Sequence, residues 1–137
     1  MLIRRPITKQ QIKDPASVHS IFVALLRQDN EVDRDKEHFW CIGLNTRNCV
    51  KYIELVSLGT LNASLVHPRE VFRFAIMQGV ASIIVIHNHP SGDPEPSEDD
   101  LRLVKRLIEA GRLLGIELLD SLIVADSYLS FKEKGLI

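Results

Sequence analysis

The chain has 137 residues and a mass of 15.5 kDa, with 17 Lys+Arg against 18 Asp+Glu. This length suits one domain with its own hydrophobic core, and a composition of 45% hydrophobic and 26% charged residues is typical of soluble globular proteins. A net charge of −1 excludes nucleic-acid binding by bulk positive charge and leaves open a local basic patch.

The two cysteines and the N-terminus narrow the setting further. Cys41 and Cys49 form neither a secreted disulfide framework nor a closely spaced zinc pair, so both are predicted to be core thiols. No apolar run approaches the roughly 18 residues that a membrane-spanning helix needs, and the N-terminus lacks the apolar stretch of a signal peptide. These features predict a cytoplasmic protein that does not use a membrane.

The first third of the chain predicts an arm and a helix. Residues 1–13 show no period and are assigned to an arm. Asp14 is a good N-cap residue, and Pro15 suits the first helical position, where its missing N–H costs nothing. The helix is expected to end near Asp29, and its apolar face is formed by Val18, Ile21, Phe22, Leu25 and Leu26.

A β-hairpin and a second helix follow the polar connector NEVDRDK. Residues Phe39–Leu44 and Val50–Leu58 are predicted strands, joined by turn residues at positions 45–48. After a loop from Gly59 to Leu65, helical spacing returns over Pro68–Gln78, and Gly79 is placed to end that helix.

The last part of the chain alternates strands with a long helix. Ala81–Ile86 is a short β-branched run that suits a strand buried on both faces. A proline-rich loop leads to a helix from Glu98 to about Leu114, and residues 116–125 and 128–131 are predicted to be the final strands. The order of elements predicts a single α/β domain with a mixed central sheet flanked by helices.

Four polar residues stand out around the proline-rich loop. His87 and His89 are two positions apart, so in extended backbone their side chains point to the same side and can reach one ion. Ser97 and Asp100 follow at the start of the long helix, which the loop must fold back towards the strand end. A structural interpretation is also open, because a serine with an acidic residue three positions later forms an N-terminal capping box.

Two imidazoles and one carboxylate suit a catalytic zinc ion, whose fourth tetrahedral position holds water. Zinc lowers the pKa of such a water to about 7 and polarises carbonyl oxygens. Hydrolysis of an amide also needs a carboxylate that moves the proton from water to the leaving nitrogen. The candidates are Glu37, Glu54, Glu70 and Asp93, and the residues alone leave this choice open, as they leave open iron or manganese in place of zinc.

The pattern His87-x-His89-x7-Ser97-x2-Asp100 resembles the JAMM motif of JAB/MPN domain metalloproteases. Residues 35–137 resemble the RadC group of these domains almost throughout. The stretches that carry this closer likeness are EHFWCIGLNTRN, SLGTLNASLVHPREVFRFAI, IHNHPSGDPEPSEDD and LLDSLIVADSYLSFKEKGLI.

The resemblance implies a JAB/MPN domain of cytidine-deaminase-like architecture over residues 35–137, with residues 1–34 as an arm and a helix packed on it. It also implies one zinc ion per chain, a peptide or protein substrate, and defined roles for site residues. These are zinc binding by His87, His89 and Asp100, general-base catalysis by Glu37 and oxyanion stabilisation by Ser97.

Several neighbouring residues have structural interpretations. His38 is predicted to lie on the strand surface, and His67 and Pro68 to mark the N-cap and first position of the second helix. Asp93 and Asp99 are interpreted as solubilising and helix-start acids, because the motif already supplies one carboxylate.

The principal functional hypothesis is zinc-dependent hydrolysis of peptide or isopeptide bonds. One alternative is a DNA-repair-associated module that binds or processes nucleic acid, although the acidic loop GDPEPSEDD would repel phosphates. Another is a non-catalytic scaffold that uses the fold as a binding surface. The N-terminal helix-hairpin-helix part of RadC-type proteins and the ubiquitin-gripping insertions of eukaryotic relatives are expected to be absent, so neither DNA association nor deubiquitination is implied.

Overall fold

The computed structural model describes residues 2–4, 10–28, 36–59 and 66–137. In these ranges the chain forms six strands and three helices, and none of the helices is both long and apolar enough to cross a bilayer. The elements are β1 (Leu2–Arg4), α1 (Pro15–Leu26), β2 (His38–Leu44), β3 (Val50–Leu58), α2 (Pro68–Gln78), β4 (Ser82–Asn88), α3 (Glu98–Leu114), β5 (Glu117–Val124) and β6 (Tyr128–Ser130).

The six strands of the described ranges form one mixed sheet in the order β1-β3-β2-β4-β5-β6. Strands β4 and β5 are parallel, and the other neighbouring pairs are antiparallel. A parallel pair needs a crossover connection, which α3 provides here. The predicted α/β fold with a mixed sheet and flanking helices is therefore confirmed, and the end of β4 faces the start of α3.

The sheet separates two hydrophobic clusters, because successive residues of a strand point to opposite faces. On one face, Ile83 and Val85 of β4 pack with buried residues of α2 and α3. On the other face, Ile84 and Ile86 pack with α1, whose Phe22 is fully buried. Burial on both sides explains why β4 is an almost continuous apolar run.

The helix boundaries agree with the sequence predictions except at the end of α1, which ends at Leu26 and not near Asp29. Asp14 caps α1 by accepting a hydrogen bond from the Ser17 backbone N–H at 2.8 Å. Pro68 opens α2, and Gly79 ends it in the left-handed region with φ +62°. These boundaries were predictable because caps and helix-ending glycines act through neighbouring residues.

Three parts of the fold differ from the predictions. The assignment of residues 1–13 to an arm missed β1, which pairs antiparallel with β3. The strand predicted over Ala81–Ile86 extends to Asn88, since its ladder with β5 continues to that residue. Cys41 is buried, as predicted, but Cys49 is partly exposed and is not a core thiol. The predicted loop residues 60–65 and most of the connector lie outside the described residues.

Gly111 allows α3 to pack against the chain that follows it, and it offers a test of this packing. A Cβ atom at residue 111 would lie 2.3 Å from the backbone oxygen of Ile116. Helix propensity favours alanine over glycine by about 1 kcal/mol, whereas overpacking typically costs about 1–3 kcal/mol. We expect the steric cost to exceed the gain in helix propensity, so that Gly111→Ala lowers the urea concentration at the midpoint of unfolding. The exposed control Lys105→Ala should leave the midpoint nearly unchanged, and a more stable Gly111→Ala variant would contradict the clash.

Candidate metal centre

The side chains of His87 and His89 converge on one carboxylate at the C-terminal end of β4. His87 Nε2 lies 3.2 Å from Asp100 Oδ1, and His89 Nε2 lies 3.1 Å from Asp100 Oδ2. One possible ligand atom from each of the three residues lies within 4.8 Å of the others. The structure thus brings together the three residues predicted as metal ligands.

Asp100 is held in place by the first turn of α3. Its backbone N–H donates to Ser97 Oγ at 3.1 Å, and its Oδ2 accepts from the Ser97 backbone N–H at 2.9 Å. These reciprocal bonds form the predicted capping box. The capping interpretation of Ser97 is confirmed, and the same box fixes the carboxylate beside both histidines.

The environment of Asp100 strongly favours its ionised form. Burial by itself raises the pKa of the carboxyl group, but the interactions with His87 and His89 lower it well below its usual range. A buried carboxylate that stays ionised is a hard oxygen donor for a divalent cation.

The loop after β4 orients His89. Its Nδ1 lies 2.9 Å from the backbone oxygen of Asp93, and because a carbonyl oxygen can only accept, Nδ1 carries the hydrogen. Metal-binding histidines typically donate their second ring N–H in this way, which leaves Nε2 for the metal. The hydrogen bond to Asp100 raises the pKa of His89, so this position already favours positive charge.

His87 is buried, and neither ring nitrogen makes a hydrogen bond of good geometry among the described residues, although Nε2 lies 3.2 Å from Asp100 Oδ1. Its ring stacks against Phe39, with centroids 5.8 Å apart and planes inclined by 12°. A buried polar nitrogen without a well-formed hydrogen bond is costly, and coordination of a cation by Nε2 would remove this cost for that atom. The three residues therefore fit a divalent metal ion.

Glu37 lies immediately before β2 and is partly buried beside this group. Burial raises the pKa of its carboxyl group; His87 and His89 oppose this increase, and Asp100 adds to it. Glu37 thus interacts electrostatically with all three predicted ligands without being one of the three converging groups.

The other three candidate bases have different surroundings. Glu54 is 0% exposed within β3, and its charge interacts with Arg73 of α2. Glu70 lies in the first turn of α2. Asp93 Oδ1 accepts from the Glu95 backbone N–H at 3.0 Å, so its side chain shapes the loop. Glu54, Glu70 and Asp93 thus have structural settings of their own, whereas Glu37 lies beside the three converging residues.

The predicted surface position of His38 is wrong. The residue is 0% exposed because it begins β2, which lies between β3 and β4. Its Nδ1 donates to the backbone oxygen of Lys36 at 2.8 Å. Its backbone N–H donates to the side chain of Asn88 at 2.6 Å, a contact that the sequence did not predict.

The remaining interpretations of residues near the motif hold. His67 occupies the N-cap position of α2 without a side-chain capping bond, and Pro68 follows it. Asp99 forms an ion pair with Arg102 one turn along α3, as suits a helix-start acid.

A family model described as a RadC-like JAB domain matches residues 12–136. The chain belongs to the RadC-like JAB domain family. It is 50% identical over 131 residues to a UPF0758 protein from Desulforamulus reducens, which covers 95% of this chain and 56% of that protein. A UPF0758 protein from Methanosarcina mazei is 44% identical over 130 residues, covering 94% of this chain and 55% of the relative.

A third relative of this RadC-like JAB domain, from Geobacillus kaustophilus, is 57% identical over 103 residues, or 74% of this chain and 46% of the relative. The chain thus spans about half the length of the curated relatives that it matches. The family match includes α1 and the whole candidate metal centre. The relatives' names state no activity, so function has to be argued from the site.

Proposed function

We propose that this RadC-like JAB domain is a zinc-dependent hydrolase that cleaves peptide or isopeptide bonds. The observation that carries the proposal is the convergence of His87, His89 and Asp100 with Glu37 beside them. A structural role explains the capping box of Asp100 but not why two imidazole nitrogens point at its carboxylate. A cation site explains both.

The metal would be held by His87 Nε2, His89 Nε2 and a carboxylate oxygen of Asp100. A zinc ion bound by three protein ligands supplies a Lewis acid with a position open to water, whose pKa it lowers to about 7. This position suits attack on a carbonyl group and makes a hydrolytic role more fitting than a purely structural metal.

Glu37 would act as the general base and then as the general acid. Its carboxylate takes a proton from the attacking water and passes it to the nitrogen of the leaving group. Partial burial raises the pKa of Glu37, which brings the carboxyl group closer to the range where both transfers are efficient.

Ser97 would stabilise the oxyanion of the tetrahedral intermediate. Its Oγ accepts the Asp100 backbone N–H, so the hydroxyl hydrogen remains available to donate to a substrate oxygen. The residue is exposed at the start of α3, where a substrate can reach it.

The capping and catalytic roles of Ser97 can be separated by two substitutions. Glycine at an N-cap costs only a few tenths of a kcal/mol, whereas alanine costs about 0.5–2 kcal/mol. We expect Ser97→Gly and Ser97→Ala to lose kcat equally, by about 10²–10³-fold, as other enzymes do without an oxyanion donor. Only Ser97→Ala should lose substantial stability. If Ser97→Gly kept full kcat in steady-state assays, Ser97 would be a cap alone.

A polypeptide substrate is favoured over nucleic acid by the charge around the metal centre. Asp93, Glu95, Glu98 and Asp99 lie in the loop and first turn beside it. This cluster repels phosphates and disfavours close approach of a nucleic-acid backbone.

The proposal can be tested by exposing zinc-loaded protein to a denatured proteome digest and to lysine-linked isopeptides, with new termini identified by mass spectrometry. We expect products with the loaded protein and none after chelation, restored by added zinc. A protein that retains one zinc ion per chain yet yields no product from either pool would contradict hydrolysis. Salt-dependent DNA binding in the same preparation would instead favour the nucleic-acid hypothesis.

A further inference from the structure

Asn88, the middle residue of the His-Asn-His string, holds the chain on both sides of Glu37. Its Oδ1 accepts the backbone N–H of His38 at 2.6 Å, and its Nδ2 donates to the backbone oxygen of Lys36 at 3.1 Å. The residue is 6% exposed, so water competes little for these bonds. One side chain thus connects the strand that carries His87 to the segment that carries Glu37.

These bonds begin where the backbone ladder ends. The pairing of β2 with β4 stops at Phe39 and His87, so residues 36–38 extend beyond it. On the other side of this segment, the Gly59 backbone N–H donates to the backbone carbonyl oxygen of Glu37 at 3.0 Å. The Asn88 side chain therefore supplies on the β4 side the support that backbone pairing no longer provides.

Asn88 and the predicted ligand His87 belong to opposite faces of the sheet, because successive side chains of a strand alternate between the faces. His87 stacks with Phe39 on the face of the sheet that carries α3, and Glu37 interacts there with the predicted ligands. Asn88 is one residue further along β4 and so belongs to the opposite face. Its side chain can therefore hydrogen-bond to the backbone of residues 36 and 38 without occupying space on the face of the sheet that carries the candidate metal centre.

We propose that Asn88 is a positioning residue that holds Glu37 against the His87–His89–Asp100 group. Its catalytic consequence rests on the proposed hydrolytic function. The position of Glu37 relative to a bound ion can be measured without any substrate, so the two proposals can fail separately.

Two variants remove either one or both of the hydrogen bonds made by the Asn88 side chain. Asn88→Asp is nearly isosteric; it keeps an acceptor for the His38 N–H but replaces the donor to Lys36 with an oxygen that repels the carbonyl group. Asn88→Ala removes both contacts. Ser130→Ala is the matched control, because Ser130 is also buried at the end of its strand and donates to Asp120 Oδ2 at 2.6 Å.

The measurement uses protein loaded with Co²⁺ and labelled with ¹³C at glutamate carboxyl groups. Paramagnetic relaxation falls with the sixth power of distance, so it detects a displacement of about 1 Å, which can cost roughly 10²-fold in rate. We expect both Asn88 variants to bind one Co²⁺ with an unchanged visible spectrum but to show weaker relaxation of the Glu37 carboxyl carbon. Ser130→Ala should match the wild type in all three measurements.

Three outcomes would overturn the positioning role: wild-type relaxation at Glu37 in Asn88→Asp, an equal reduction in Ser130→Ala, or loss of Co²⁺ from Asn88→Asp. The last would assign Asn88 to the ligands instead of Glu37. If Asn88→Ala does not fold, the nearly isosteric Asn88→Asp decides the question alone.

Where the wild type hydrolyses a substrate, Asn88→Asp should lower kcat by about 10–100-fold and leave KM nearly unchanged, because supporting contacts around metal centres have effects of this size. An unchanged kcat despite weaker relaxation would overturn the catalytic consequence of this positioning. A wild type without hydrolytic activity, but with the expected relaxation pattern, would refute the proposed function and leave the positioning of Glu37 supported.

Discussion

Replacing His89 with alanine is expected to abolish stoichiometric zinc binding. His89 supplies one of three converging ligand atoms, and its second nitrogen is already held by the Asp93 carbonyl. Loss of a supporting contact alone typically costs 10–100-fold in metal affinity, so loss of a ligand should cost more than about 10²-fold. Elemental analysis of protein purified without added metal or chelator should give about one zinc per wild-type chain and almost none in His89→Ala.

His67→Ala is the matched control for this experiment. His67 is a partly exposed histidine at the N-cap of α2 and makes no side-chain capping bond there. We expect this variant to keep one zinc per chain. That result would show that removing a histidine outside the site does not lower the zinc content. Equal zinc content in His89→Ala and the wild type would contradict the site.

Asp100→Asn separates metal binding from helix capping. The amide oxygen can still accept from the Ser97 backbone N–H, so the cap is largely retained, but the negative charge is lost. Added zinc at 100 times its Kd should stabilise the wild type by about 2.7 kcal/mol and leave Asp100→Asn almost unaffected. Thermal unfolding with and without zinc measures this difference. A similar zinc-induced increase in Tm for both proteins would place the ion elsewhere.

The sequence predicted best those features that depend on neighbouring residues. The capping box of α3 follows from Ser97 and Asp100 being three positions apart, and the convergence of His87 and His89 follows from the two-residue period of a strand. The proximity of His87 and Asp100 also requires the loop between β4 and α3 to fold back towards the end of β4. That step was predictable because a proline-rich loop joins a buried strand to an amphipathic helix.

The features that the sequence did not reveal depend on distant pairing. Strand β1 has three residues, too few to show an alternating pattern, and exists through its register with β3. The burial of His38 depends on β2 being a central strand, which strand order alone determines. The contact of Asn88 with residues 36–38 spans about fifty positions and has no local signal.

The selection of Glu37 joins these two kinds of information. Composition and spacing left four acids as candidate bases, and family resemblance pointed to one of them. The structure adds a physical reason, since Glu37 acts electrostatically on all three predicted ligands while Glu54 is enclosed within β3. Glu37 lies just before the start of β2. It comes close to residues at the C-terminal end of β4 because β2 and β4 are antiparallel neighbours.

Glu37→Gln is accordingly expected to keep the zinc ion and lose hydrolysis. The amide has nearly the same shape as the carboxylate but cannot accept and return a proton, and general acid–base catalysis typically contributes about 10²–10⁴-fold. We expect kcat to fall by this factor with KM almost unchanged, since the substrate contacts remain.

Glu70→Gln is the matched control for this second substitution, because Glu70 is a partly buried acid that lies in the first turn of α2. It should retain wild-type kcat and zinc content. The measurement is the initial rate on a peptide or isopeptide identified in the cleavage screen, with zinc content determined on the same samples. Full activity in Glu37→Gln with zinc bound would exclude Glu37 as the base. Zinc loss in that variant would instead make Glu37 part of the metal shell. Retained zinc with lost kcat is the result that supports proton transfer by Glu37, because side-chain shape and metal occupancy are then unchanged.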